Sequence, residues 1–233
     1  MNEGSNAVCI IPARGGSKRI PRKNIRPFRG RPMLLWSVEA ALMSGAFDSV
    51  LVSTDDDEIA DVARAAGAEV PFLRSARTSN DHATTADVLA EVLQQLGKIG
   101  QNYTLGCCLY PTAPFVQGGD LATGRARLED SDFDVVMPIA AFSYPIWRSL
   151  GRDAAGRVLL NFPENLNVRS QDLPTAYHDV GQWYWFRTEA FLRTHMLMGS
   201  NTGSIVVPAD RMQDIDTEED WAIAEYKHER LFE

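Results

Sequence analysis

Cysteine is scarce in this chain. Cys9, Cys107 and Cys108 lie in apolar runs, two of them adjacent, and the odd count argues against a disulfide framework. They read as buried, reduced thiols of a cytoplasmic protein, and no spacing typical of a metal site accompanies them. No apolar stretch approaches the roughly 18 to 20 residues that cross a bilayer. The opening residues, MNEGSNA, lack the basic start and apolar segment of a secretion signal, so no membrane partner is expected. Positive charge is also in deficit. A net charge of −8 argues against a nucleic-acid polymer as partner, because phosphate backbones attract basic surfaces. Repeats and low-complexity tails are absent. The 233 residues read as a single domain, 1–233, with a full core and an insertion at 141–178.

The apolar pattern alternates between strands and helices. AVCIIPA (7–13) suits a strand covered on both faces. After Pro32, residues Met33, Leu34, Trp36, Val38, Ala40, Ala41 and Leu42 mark a mostly buried helix ending near Gly45. SVLVSTD (49–55) is a second strand, DEIADVARAAGAEV an amphipathic helix stopped at Gly67, and Val70, Phe72 and Leu73 a short strand around Pro71. Residues 81–97 predict a helix capped by Thr84 or Thr85. LGCCLYP (105–111) is a buried strand, the segment after Asp120 a helix weakened by Gly124, and 133–140 a strand. This order predicts an α/β, Rossmann-like fold with a mostly parallel sheet flanked by helices. Turns, Pro and Asn between 141 and 178 predict a small hairpin arm. A strand at 180–187, with Trp183 and Trp185 as core aromatics, precedes the helix TEAFLRTHMLMG and the strand GSIVVPA. The closing helix has Thr217 as its cap and Asp220 three residues on.

Against this acidic background, residues 14–31 hold eight Lys or Arg and no Asp or Glu. A local basic patch beside the Gly15-Gly16 turn points to a small anion, because glycine backbone approaches phosphate oxygens and Lys or Arg neutralise them. The spacing is neither G-x-x-x-x-G-K-[ST] nor G-x-G-x-x-G. Arg19 and Arg22 face either the ligand or solvent. Asp214 and Asp216 form an i, i+2 pair before a helix. They either hold Mg2+ against phosphate oxygens or, for Asp216, cap that helix. The absence of G-x-S-x-G argues against a Ser-His-Asp hydrolase built on His178-Asp179.

PARGGSKRIPRKN, LVSTDDDEIADVARAAGAEVPF, DHATT, LYPTAPF, RSQDLPTAYHDVGQWYW and DIDTEEDW, in this order, resemble the cytidylyltransferases that activate nine-carbon acidic sugars, the CMP-sialic acid synthetase family. The resemblance spans nearly the whole chain. It implies a nucleotidyltransferase that moves CMP from CTP to the anomeric hydroxyl of the sugar, releases pyrophosphate, uses Mg2+ and works as a homodimer through the 141–178 arm. By position, it implies that Arg14, Gly15, Gly16, Ser17, Lys18, Lys23 and Asn24 bind the triphosphate, with Arg14, Lys18, Lys23 and Asp214 catalytic. Asp214 and Asp216 match the metal segment. Asn80, Thr84, Tyr110 and Thr112 match the cytosine region, where Tyr110 stands in place of a Gln of the sialic acid enzymes and Thr84 is alternatively a helix cap. Arg169, Gln171, Tyr177, His178 and Gln182 match the sugar region, with a structural His178-Asp179 pair as the alternative. There the sialic acid enzymes read Arg-Pro-Asn-Gly, and this chain reads His178-Asp179-Val180-Gly181. That departure argues against N-acetylneuraminate, and AEVPFLR together with RSQDLPTAYHDVGQWYW and DIDTEEDW resembles the members that act on pseudaminic acid. N-acetylneuraminate, legionaminate and 3-deoxy-octulosonate are the alternative acceptors, and a non-catalytic nucleotide-binding homologue is the alternative role.

Overall fold

The computed structural model describes residues 5–232. Strand β1 (Ala7–Pro12) is followed by the basic loop and a small hairpin, β2 (Pro27–Phe28) and β3 (Arg31–Pro32). Arg29 and Gly30, the two residues between its strands, both have positive φ, the requirement of a type I′ turn. Helix α1 (Met33–Met43) leads to β4 (Ser49–Ser53), α2 (Asp57–Ala65), the single turn α3 (Ala76–Ser79) and α4 (Thr85–Lys98). Then come β5 (Leu105–Leu109), α5 (Gly118–Glu129) and β6 (Val135–Ala141). The arm carries an antiparallel hairpin of β7 (Leu150–Arg152) and β8 (Val158–Leu160). The chain ends with β9 (Tyr177–Asp179), β10 (Trp183–Arg187), α6 (Thr188–Thr194), β11 (Thr202–Val206) and α7 (Glu218–Phe232).

The main sheet has the order β11-β6-β10-β5-β1-β4, with β9 also paired to β6. β1 runs parallel to β4 and β5, and β11 parallel to β6, while β10 is antiparallel to both neighbours. The sheet is mostly parallel, as the alternation predicts. Side chains alternate across it with period two. Cys9, Ile11, Cys107, Trp183 and Trp185 face a layer formed with Leu34, Val38, Ile59, Ala63 and Leu121 from α1, α2 and α5. Val8, Ile10, Cys108 and Phe186 face Leu89, Val92, Leu96 and Phe191 from α4 and α6. The adjacent Cys107 and Cys108 therefore sit in opposite layers, and all three cysteines are buried and free.

Local signals set the helix ends. Asp56 caps α2 by accepting from the Ile59 N–H, and the Gly67 and Ala68 N–H groups close a Schellman motif onto Arg64 and Ala63. Thr84 and Asp87 form a capping box on α4. The expected strand around Pro71 does not form. Beside it lies one isolated bridge, Leu51 to Glu69, and Pro71 has no N–H with which to extend it into a ladder. The helix predicted from Thr188 stops early, where His195 adopts the left-handed conformation. Gly124, an apparent weakness in α5, has a packing reason. A Cβ there would stand 2.6 Å from Trp185 and 2.8 Å from Trp183. Of the proposed arm, Ala141, Tyr177 and His178 are in fact bonded into the main sheet.

Candidate active site

At β1 the chain has placed β4 on one side and β5 on the other. Such a reversal of strand order opens a crevice beyond the carboxyl ends of the strands. β1 delivers the basic loop there, and β5 delivers Tyr110–Val116. Antiparallel β10 begins at the same edge, so the 178–182 segment arrives there as well. Three adjoining cavities follow, all walled by Tyr110. One of about 390 Å3 is lined by Arg14, Ser17, Lys18, Arg19, Lys23 and Asn24, with Thr112 opposite. One of about 530 Å3 is lined by Thr112, His178, Asp179, Gly181, Tyr184, Met212 and Asp214. The third, about 200 Å3, lies between Arg14, Arg74, Asn80, Asp81 and Thr85.

The basic run divides in two. Arg14, Lys18, Arg19 and Lys23 line the first cavity. Arg22, Arg26, Arg29 and Arg31 instead hold the loop down, on Asp56 and Glu58, Glu218, Glu229 and Glu39 respectively. Of the two undecided arginines, Arg19 reaches the cavity and Arg22 serves the fold. The cavity cations meet acids of the same protein. Arg14 reaches Asp81 at 3.0 Å and Lys18 binds its other oxygen, and these bonds hold the Asp81 carboxyl below its usual range. Arg19 pairs with Asp216 at 2.7 Å. Lys23 donates to the Ile215 carbonyl at 2.7 Å and lies 3.6 Å from Asp216. Buried Asn24 donates to the Arg14 carbonyl, which fixes the loop's path. The Gly15 N–H donates to Asp55 at 2.9 Å. Gly16 has open space around it, and Ser17 lines the cavity.

Asp214 and Asp216 sit close enough for their charges to interact but differ in surroundings, with Asp216 paired to Arg19 and Lys23. Asp214 lines the larger cavity, and burial, reinforced by the Asp216 charge, pushes its carboxyl up. Helix α7 is capped by Thr217 and Asp220, so Asp216 is not its cap. Among the described residues no group of three or more His, Cys, Asp or Glu could hold a metal ion. Mg2+ is commonly held by one or two carboxylates together with substrate phosphates and water, so a pair of carboxylates fits it. The raised Asp214 carboxyl is one that a nearby cation would favour in its charged form.

The base-side residues are also sorted. Tyr110 bonds Thr85 Oγ1 at 3.0 Å, and burial pushes its phenol up. Thr84 is spent on the α4 cap, so Thr85 and not Thr84 faces the cavity. The Asn80 side chain closes a local turn onto Arg77, His82 and Ala83. On the sugar side, His178 lines the cavity. Gln182 does not, because it is buried and donates to the Arg211 carbonyl. Arg169 is paired with Asp172 on the exposed arm, and neither it, Gln171 nor Tyr177 lines the three cavities. Asp179 and Arg74 line the cavities beyond the residues the sequence points to. The adjacency of Asp179 to His178 is its sequence signal, and Arg74 follows the apolar stretch 70–73 without a motif of its own.

The cytidylyltransferase family model matches residues 8–198. A pseudaminic acid cytidylyltransferase of Campylobacter jejuni is 38% identical over 229 residues, covering 97% of this chain and 99% of that protein. A CMP-N,N'-diacetyllegionaminic acid synthase of Legionella pneumophila is 31% identical over 226 residues, covering 94% of each. A solved CMP:2-keto-3-deoxy-manno-octonic acid synthetase complexed with CTP shares the fold, with a TM-score of 0.73 over 97% of this chain and 99% of that one at 21% identity.

Proposed function

The chain belongs to the cytidylyltransferase family, and from that premise we propose that it transfers CMP from CTP to the anomeric hydroxyl of pseudaminic acid, releasing pyrophosphate. The observation that carries the sugar assignment is the 38% identity to a pseudaminic acid enzyme over nearly the full length of both chains. The adjoining cavities support it. One is lined by four cationic side chains, the other is larger and lined by His178, Asp179 and Asp214, and they meet at Tyr110 and Thr112.

The sugar oxygen attacks the α-phosphorus as the bond to pyrophosphate lengthens. Arg14, Lys18 and Lys23 bind the charge that gathers on the leaving oxygens, with Arg19 beside them. Asn24 keeps the loop that carries them in place. Asp81 occupies Arg14 and Lys18 before the nucleotide arrives and gives way to phosphate. Asp214 and Asp216 would hold Mg2+, which supplies Lewis-acid polarisation of the phosphate when bound. Exposed Tyr144, Leu150, Val158, Leu159 and Leu166 on the arm support a homodimer, since such apolar surface favours a partner. Among the described residues no helix is long and apolar enough to cross a membrane. The use of CTP and the free thiols support a cytoplasmic site of action.

The test is pyrophosphate release with Mg2+ and CTP, comparing pseudaminic acid with N-acetylneuraminate, legionaminate and 3-deoxy-octulosonate. Release with pseudaminic acid is expected. Preference for another acid replaces the acceptor, and CTP binding without release from any of them leaves a non-catalytic homologue. Asp214→Ala should lose most turnover with the fold intact, and unchanged activity at limiting Mg2+ would remove its metal role.

A further inference from the structure

We propose that Asp179 is a specificity-determining residue whose carboxylate accepts a hydrogen bond from an N–H or O–H group on the end of the sugar acid remote from its carboxylate. The inference rests on the reading above, because it concerns the acceptor's orientation in the larger cavity.

The charge distribution sets that orientation. No Lys or Arg lines the larger cavity, whose ionisable side chains are His178, Asp179, Asp214 and two tyrosines. The cations line the neighbouring one. In a 2-keto sugar acid the carboxylate carbon is bonded to the anomeric carbon, and the anomeric oxygen must reach phosphorus. The anionic end therefore stays beside the basic loop, and the rest of the sugar extends toward Asp179.

Asp179 is built as a fixed acceptor. Its Oδ1 takes the Gly181 N–H at 2.8 Å, and its Oδ2 takes the Tyr184 hydroxyl at 2.5 Å. Gly181, at φ +62°, makes the kink between β9 and β10 that returns its N–H to the carboxylate. Tyr184 is buried and anchored in the central sheet. A carboxylate offers about four lone-pair positions, and two are filled from the protein side. The others are left for a donor from the cavity. His178 Nδ1 lies 2.9 Å from the Asp179 carbonyl, which can only accept, so Nδ1 donates and the ring is held beside the carboxylate. An acceptor fixed in the wall rejects a sugar lacking a matching donor, because the carboxylate would be covered and left unpaired.

Asp179→Asn keeps the size and one acceptor oxygen but removes the charge and places an NH2 in the wall. The KM for the sugar acid should rise about ten- to a hundred-fold, the range of a charge-assisted hydrogen bond, while the KM for CTP stays unchanged. A sugar analogue with the matching N–H or O–H replaced by hydrogen should lose a similar factor on the wild type and little more on Asp179→Asn. Equal sugar KM values in the two proteins, or equal rises in both KM values, overturn the proposal. Should Asp179→Asn not fold, the analogue series on the wild type decides. A set of single-donor deletions none of which raises KM above threefold also overturns it. Absence of turnover of any nine-carbon sugar acid by the wild type removes the functional reading, and this inference with it. Turnover with an insensitive Asp179→Asn removes this inference alone.

Discussion

Replacing Lys23 by Met separates the two tasks assigned to that ammonium. In the folded protein Lys23 Nζ donates to the Ile215 carbonyl at 2.7 Å and lies 3.6 Å from Asp216, with its side chain one-fifth exposed (21%). A hydrogen bond from a charged donor contributes about 1.5 to 3 kcal/mol. The partly exposed pair with Asp216 adds at most about 1 kcal/mol. Met fills most of the same space, so the loss should be about 1.5 to 4 kcal/mol. In a chain of this size each kcal/mol lowers the melting temperature by about 2 to 4 °C, so thermal unfolding should shift down by about 3 to 16 °C. Turnover should fall further than stability. Loss of one preorganised group stabilising transition-state charge costs about a hundred- to a thousand-fold in kcat. Lys23→Arg keeps the charge and should recover part of the rate. The assays are calorimetry without ligand and pyrophosphate release at saturating CTP, well below the variant's melting temperature. An unshifted melting temperature refutes the latch to residue 215. Turnover within threefold of wild type refutes the catalytic role.

Two further outcomes concern the scaffold. Gly106→Ala on β5 would place a Cβ 2.3 Å from the fully buried Phe186 ring, so a destabilisation of about 1 to 3 kcal/mol is expected. Phe186→Leu in the same chain should restore part of it, and a strictly additive double mutant in urea unfolding refutes the clash. The Arg22 hydrogen bond holds the Asp56 carboxyl below its usual range, about 3.9, so the pair's contribution is complete above that pH and disappears as pH falls through the lower folded value. Arg22→Gln should therefore be less stable than wild type at pH ~7, and the gap should close in strong acid. A gap independent of pH would assign the loss to something other than the Asp56 charge.

Several features were legible before any fold. The buried β1 run, the Gly67 stop, the Thr84 cap and the Thr217-Asp220 box depend on residues within six positions of one another, and local chemistry decides them. The site was legible in its parts. Arg14, Lys18 and Lys23 stand together in the chain, and the motif order carries the family. Misreadings arose where a distant partner decides. Gln182 looks like a sugar ligand until the Arg211 carbonyl, 29 residues away, takes its amide. Gly124 looks like a helix fault until Trp183 and Trp185 are packed over it. The stretch around Pro71 has strand-like residues but meets the edge strand β4 only at Glu69, and Pro71 has no N–H to extend a ladder.

The sequence by itself determined the alternation of elements, the acidic chain with one cationic loop, and the cytidylyltransferase signature, because periodicity, charge and short motifs are properties of neighbours. Only the tertiary structure decided which four of the eight cations face the cavity, which of Thr84 and Thr85 looks inward, and that Asp179 joins the site. The reason is that β1, β5 and antiparallel β10 bring segments far apart in the chain to one sheet edge. At that edge, partners such as Asp56 or Glu218 determine which charges are already satisfied.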